Sequence, residues 1–263
     1  MTIKIRNTIF ISSLSAAGII LVAFIAGSLY MLYSFSIPLK ELLDINSVML
    51  NLSHVSALLV FALISATVLL HSFRKTSAPE VFFILVFLLL LSTESLRLGL
   101  IYIQKAGLPF ETGRTLSRVI YFGRFMGTTS IFISGLFACG IRNQRIEMLM
   151  GIGALISLSL ATTIPLDNRT SEFSMIYTNS LNSQFFVVFM IIKVLSVWNY
   201  IYAGIVNNNR NYYFIGIGIL MITAGLELVL NFQAVPFTGI GLLLMISGIT
   251  LFGTQIHKIY LWF

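Results

Sequence analysis

Eight apolar runs, each close to the length of a bilayer crossing, constrain this chain more than any other feature. They cover residues 9–36, 48–73, 81–103, 119–141, 146–165, 184–206, 212–231 and 237–255. A helix needs roughly 20 apolar residues to span the hydrocarbon core. Inside that core every backbone N–H and C=O must find its partner within the protein, so unbroken apolar runs fold as helices. The expected fold class is therefore all-α: a polytopic integral membrane protein with eight transmembrane helices. Composition supports this, with 57% hydrophobic and only 10% charged residues, against roughly 25% charged in soluble domains. A water-soluble globular fold is excluded. The weakest break between runs is Asn231 to Pro236, where one long kinked helix is the alternative to two spans. The first run follows Lys4 and Arg6 and is too long for a cleaved signal segment, so it is read as an uncleaved span.

The chain carries a formal charge of +7, from 16 Lys and Arg against 9 Asp and Glu. Most of that excess lies in short connections between apolar runs, where it reports topology and contact with anionic headgroups. With the N-terminus inside, the inner connections and ends hold Lys4, Arg6, Arg74, Lys75, Arg142, Arg145, Arg210 and Lys258. The opposite side holds Lys40, Lys105, Arg114, Arg118 and Arg169. The bias, 8 against 5, favours both termini in the cytoplasm, and the inner membrane is the expected location. No basic, aromatic-bearing soluble surface exists to bind nucleic acid. The connections hold no kinase or nucleotide-binding domain, so any signalling would run through a partner membrane protein.

The second half of the chain echoes the first. Ser36-Ile37-Pro38-Leu39 matches Thr163-Ile164-Pro165-Leu166, and Ile45-Asn46-Ser47 matches Leu181-Asn182-Ser183. Thr93 to Leu100 aligns with Thr223 to Leu230, and Ile133-Ser134-Gly135 with Ile246-Ser247-Gly248. The shared order suggests a four-plus-four duplication, with halves 1–142 and 143–263 in the same orientation, as in parallel-repeat membrane proteins. Convergent packing by small residues is the alternative. Under the repeat, Arg97 and Glu227 are equivalent and would meet across the pseudo-axis.

Five charged residues lie at least one turn inside the apolar runs: Glu94, Arg97, Arg124, Lys193 and Glu227. A charge in hydrocarbon is costly unless paired or wetted, so such residues mark a site by default. Helix rise puts Glu94 roughly 20 Å from Val81, in the outer half of a core about 30 Å thick. Arg124, Lys193, Glu227 and, more weakly, His54 fall at similar depth. Tyr121, Arg124 and Thr128 share a helix face, as do Lys193, Ser196 and Tyr200. Three cations against two carboxylates leave one positive charge over. The expected arrangement is an outward-opening pocket, rimmed by residues 104–118 and 166–183, that accepts an anionic group. The competing expectation is a set of structural ion pairs, with Arg97 and Lys193 snorkelling to the interface.

Other chemistry is not encoded. There is no Gly-x-Ser-x-Gly elbow, His-Glu-x-x-His helix or intramembrane aspartate pair. Lys193 sits in the sixth run rather than the last, against a retinal lysine. His54, His71 and His257 have no zinc or haem spacing, and Cys139 reads as a packed thiol. No cofactor is expected. The chain thus reads as a non-enzymatic membrane protein that binds, and can translocate, a small anionic or amphiphilic lipid-like ligand. Glu94, Arg97, Arg124, Lys193, Glu227 and His54 are the ligand-binding candidates, and membrane lipid is the expected surrounding partner. A receptor or scaffold subunit is the alternative, and an enzyme acting on lipid the remote one.

Overall fold

The apolar runs become helices. A computed structural model of the protein describes residues 3–35, 45–76, 78–140, 146–170, 176–179, 182–231 and 235–261. In chain order the helices are α1 (Ile3–Phe35), α2 (Ile45–Ser72), α3 (Pro79–Leu90), a 3₁₀ segment (Leu91–Leu96), α4 (Arg97–Lys105), α5 (Phe110–Ala138), α6 (Ile146–Thr163), α7 (Asn182–Val206), α8 (Asn211–Asn231) and α9 (Val235–Leu261). With α3, the 3₁₀ segment and α4 counted as one span, eight helical stretches among the described residues are long and apolar enough to cross a membrane.

Three features depart from the sequence reading. Two short strands, β1 (Leu166–Thr170) and β2 (Tyr177–Asn179), pair antiparallel between α6 and α7, where a plain loop was expected. The segment 104–118, expected as a second long loop, is mostly helix, because α5 begins at Phe110 just after Pro109. Pro109 is the extended residue before α5, with φ −54° and ψ 138°, while α4 ends in a turn through Gly107 at φ +62°, closed by the Leu108 N–H donating to the Ile103 carbonyl. The third span is not a single α-helix but changes pitch in its middle. The side carrying the β-ladder is called the hairpin side below, and the opposite one the N-terminal side.

The central helix is α3, whose residues from Glu80 to Leu88 are all buried. It packs against α5 and α2, and α7 lies between α5 and α8. Over the most apolar window of each span, 61% of residues are buried in the α3–α4 span and in α5, but only 11% in α1, 17% in α6 and 22% in α7. The last three turn apolar side chains outward, the proper arrangement where lipid supplies the missing contacts.

The tightest contact joins α8 and α9, which settles the break at 231–236 in favour of two spans. Gly218 faces Gly248, and Gly225 faces Gly241, two turns further along each antiparallel helix. A Cβ on Gly218 would lie 2.9 Å from the Gly248 carbonyl oxygen, and one on Gly241 2.7 Å from that of Gly225. Small residues let backbones approach and dispersion replace the hydrophobic drive that lipid removes. Gly216 instead faces α7, and nothing lies against Gly239.

The halves proposed from the repeat differ in packing. α1 packs on α2, whereas α6 packs chiefly on α5. Ser134 is buried and bonds Tyr200 2.5 Å away, while its counterpart Ser247 is exposed and donates to the Leu243 carbonyl of its own helix. Ser36 to Leu39 and Leu181, which carry two of the matches, lie outside the described residues, as do Arg142 and Arg145 of the charge pattern.

Candidate functional site

The site begins with Leu91-Ser92-Thr93-Glu94-Ser95-Leu96. Three hydroxyls in four positions compete for backbone carbonyls. Ser92 donates to Leu89 O at 2.6 Å, Thr93 to Leu90 O at 2.8 Å and Ser95 to Ser92 O at 2.7 Å. Each bond reaches three residues back, and the backbone tightens to the same 3₁₀ repeat. In a 3₁₀ turn residues i and i+3 eclipse, which sets Glu94 directly beneath Arg97.

Glu94 therefore receives two guanidinium groups. Arg97 Nε donates to Glu94 Oε2 at 2.8 Å, with Nη2 2.7 Å from the same oxygen. From α5, Arg124 Nε donates to Oε1 at 2.6 Å and Nη2 to Oε2 at 3.1 Å, a two-pronged grip. The side chains of Glu94 and Arg97 are each 2% exposed. Arg97 does not snorkel; it is among the largest fully buried side chains of the protein. Arg124 is 22% exposed, and with Nε and Nη2 committed, its Nη1 amino group makes no hydrogen bond among the described residues.

Across from Arg124, Lys193 of α7 pairs with Glu227 of α8. Asn231, one turn further along α8, also donates to Glu227. The expected pairing of Arg97 with Glu227 is thus corrected. Arg97 is held by Glu94, its neighbour one 3₁₀ turn away, and Glu227 by the facing lysine, so local geometry prevails over the pseudo-axis.

Between the two ion groups lies a cavity of about 110 Å³, walled by Thr93, Glu94, Tyr121, Arg124, Thr128, Lys193, Glu227 and Asn231, with Phe87, Leu90, Leu91, Gly123, Gly127, Phe186, Phe189, Leu226 and Leu230. One water requires about 10–15 Å³ on this measure, so a compact oxyanion with several waters fits. Gly123 is required here, because a Cβ on it would collide with the Thr93 side chain. Phe189 stacks on Phe125 at 4.3 Å and lies under the Lys193 ammonium, 5.8 Å from the ring centre. Tyr121 sits beneath the Arg124 guanidinium at 5.9 Å.

Of the sequence candidates, Glu94, Arg124, Lys193 and Glu227 line this cavity, while Arg97 stands behind Glu94 and His54 is buried on α2. Among the described residues of the β-ladder, neither Leu166 nor Tyr177 lines it. Tyr177 packs edge-on against Phe110 at 4.9 Å, and the Tyr121 hydroxyl reaches the Tyr177 carbonyl at 3.5 Å. That contact places the ladder over the end of α5 next to a wall residue. Tyr177 is buried, which pushes its hydroxyl pKa upward.

A second polar group near the N-terminal side escaped the sequence reading. Glu80, 2% exposed, accepts a hydrogen bond from the Tyr260 hydroxyl at 2.7 Å. Its backbone carbonyl accepts one from Ser134, which in turn contacts Tyr200. Glu80 precedes the third apolar run, and Tyr260 lies beyond the eighth as read. Helix α9 continues to Leu261 and so brings the two together. An acidic residue in a first helical turn was the only signal. Among the described residues no three His, Cys, Asp or Glu side chains cluster as a metal site.

Eight membrane-length helices among the described residues, four of which wall the charged cavity, make this an integral membrane protein of the multi-pass helical class. Beyond that class, no family model, curated protein or solved structure matches the chain.

Proposed function

We propose that the cavity between Arg124 and Lys193 binds a small anionic or amphiphilic ligand, without covalent chemistry, and that the protein translocates it. The observation that carries this reading is the Arg124 guanidinium. It faces a cavity, is anchored by Glu94 on one edge and leaves Nη1 free to donate on the other. Planar guanidinium groups bind carboxylate and phosphate oxygens through paired N–H donors. Lys193 adds a second cation on the opposite wall. One carboxylate balances two arginines in the Glu94 group, so the cluster keeps one positive charge that an anion would neutralise.

The basic connections favour both termini on the cytoplasmic side of the inner membrane, with the cavity in the outer half. The order of the four matched segments supports two same-orientation halves, 1–142 and 143–263, whose packing has since diverged.

The test is thermal unfolding of the detergent-purified protein with dibutyl phosphate, a soluble monoanion, beside neutral tributyl phosphate. The anion should raise the midpoint and the neutral ester should not, and Arg124→Gln should remove the shift. That variant leaves Arg97 to neutralise Glu94, so it retains a paired core. No shift, or one unchanged in Arg124→Gln, would refute the reading. Uptake of dibutyl phosphate into protein-containing vesicles would establish transport. A stable co-purifying partner without uptake would favour a receptor or scaffold.

A further inference from the structure

The Lys193–Glu227 pair belongs to two cavities at once. One is the polar cavity described above. The other is a groove of about 200 Å³ on the outer surface between α7 and α8. Its walls are Met190, Val194, Trp198, Ile201, Leu220 and Ala224, and most of these are exposed. Thr223 also borders it, but its hydroxyl donates to the Ile219 carbonyl of its own helix, so the groove offers an anion no hydrogen-bond donor below the ion pair. Lys193 and Glu227 are the two residues common to both cavities, which makes the pair the partition between a charged interior and an apolar surface.

We propose that this partition is a lateral gate, and that the ligand is a monoanionic lipid whose head enters the polar cavity from the bilayer while its acyl chain lies in the α7–α8 groove. The proposal rests on the anion-binding reading above and names the ligand class of the same site.

The direction of the groove supports it. Glu227 lies one turn from the end of α8 at Asn231, whereas Leu220 lies seven residues deeper, about 10 Å at helical rise. From the ion pair the groove therefore descends toward the middle of the span. A lipid in the leaflet on the hairpin side has this same orientation, head near the surface and chain inward. Lys193 and Glu227 are 10% and 23% exposed, at the edge of a lipid-facing surface rather than in the sealed core.

Charge supports it as well. An entering oxyanion replaces the Glu227 carboxylate as the partner of Lys193 and meets Arg124 Nη1 on the far wall. Glu227 is left with Asn231 at the end of its helix, where a carboxylate reaches water. No bond is made or broken in this exchange of ion-pair partners. The single excess positive charge of the site matches a head with one negative charge, a phosphodiester or a carboxylate, rather than a dianion.

Trp198 reads the groove directly. The chain has two tryptophans, so a Trp262→Phe background leaves Trp198 alone. This protein would be placed in phosphatidylcholine nanodiscs containing a minor fraction of lipid with brominated chains, which quench tryptophan on contact. Brominated phosphatidylglycerol or brominated fatty acid should quench Trp198 more than brominated phosphatidylcholine at equal mole fraction. Lys193→Gln and Arg124→Gln should each abolish the excess. Val194→Phe and Ala224→Phe, which fill the groove, should reduce it while leaving the dibutyl phosphate shift in place.

Equal quenching by anionic and zwitterionic chains, with the dibutyl phosphate shift present and Arg124-dependent, overturns the lateral gate but leaves anion binding standing. Loss of both readouts in the unmodified protein overturns the two together. Retention of the excess in Lys193→Gln overturns the assignment of Lys193 as gate. Two independent groove variants guard against one that fails to fold, and each is accepted only if it elutes as a single species.

Discussion

The two ion groups that face each other across the cavity are built in opposite ways. Glu94, Arg97 and Arg124 form a dense cluster on two core spans, with three side chains tied by four contacts of 2.6–3.1 Å. Lys193 and Glu227 form a single pair on α7 and α8, between the cavity and the lipid-facing surface. The first is over-determined: a 3₁₀ turn eclipses Glu94 with Arg97, and α5 closes the other edge. The second depends on two side chains that each have open space on two sides. One group fixes a binding surface and the other is able to exchange partners. Burial and redundancy, rather than charge alone, separate the structural part of the site from its movable part.

Removing the hub should produce the largest effect. Glu94→Ala leaves two guanidiniums side by side without their carboxylate counter-charge, a loss of about 3–5 kcal/mol when one partner of a buried ion group is deleted. The thermal midpoint in detergent should fall steeply, or the variant should fail to accumulate. Adding Arg97→Met to Glu94→Ala should recover much of the loss, because one of the stranded charges goes with it. If Glu94→Ala melted like the unmodified protein, the cluster would not be the rigid half of the comparison.

Gly123→Ala addresses the same half by shape rather than charge. The added methyl meets Thr93, so the 3₁₀ turn must shift away from α5 at a typical overpacking cost of about 1–3 kcal/mol. Glu94 and Arg124 should then separate, and the dibutyl phosphate shift should shrink with the midpoint. Gly239→Ala, where nothing lies within reach, serves as the matched control and should leave both readouts unchanged.

The eight spans were legible because hydrocarbon length and backbone satisfaction leave few options, and charges within apolar runs mark themselves. Partner choice was harder to read. Pairing Arg97 with Glu227 followed from an alignment of halves, but Glu94 and Arg97 stand three residues apart, and the hydroxyls of Ser92, Thr93 and Ser95 bring in the 3₁₀ pitch that stacks them. That hydroxyl cluster was visible in the sequence; its effect on pitch was not drawn from it. Glu80 was passed over as part of a connection, since its partner Tyr260 depends on α9 running past Gln255. The β-ladder had no alternating pattern to announce it, and its register on α5 comes from Tyr177 packing over Gly113, a contact 64 positions apart in the chain.

The smallest effect on stability should come from the pair that matters most to the comparison. A polar contact between membrane helices contributes about 1 kcal/mol, so Lys193→Glu or Glu227→Lys alone should lower the midpoint modestly, through like charges now facing each other. The double charge swap rebuilds an ion pair across α7 and α8 and should restore the midpoint. It should not restore binding. With the lysine moved to α8, one turn from its end and beside Asn231, the cation no longer opposes Arg124 from α7, and the carboxylate on α7 stands where the ligand oxygens would sit. A swapped protein that melts normally yet shows no dibutyl phosphate shift separates holding the helices together from holding an anion. Recovery of both properties would mean that Lys193 and Glu227 are a structural pair like the Glu94 cluster, and the contrast between a fixed and a movable half of the site would be lost.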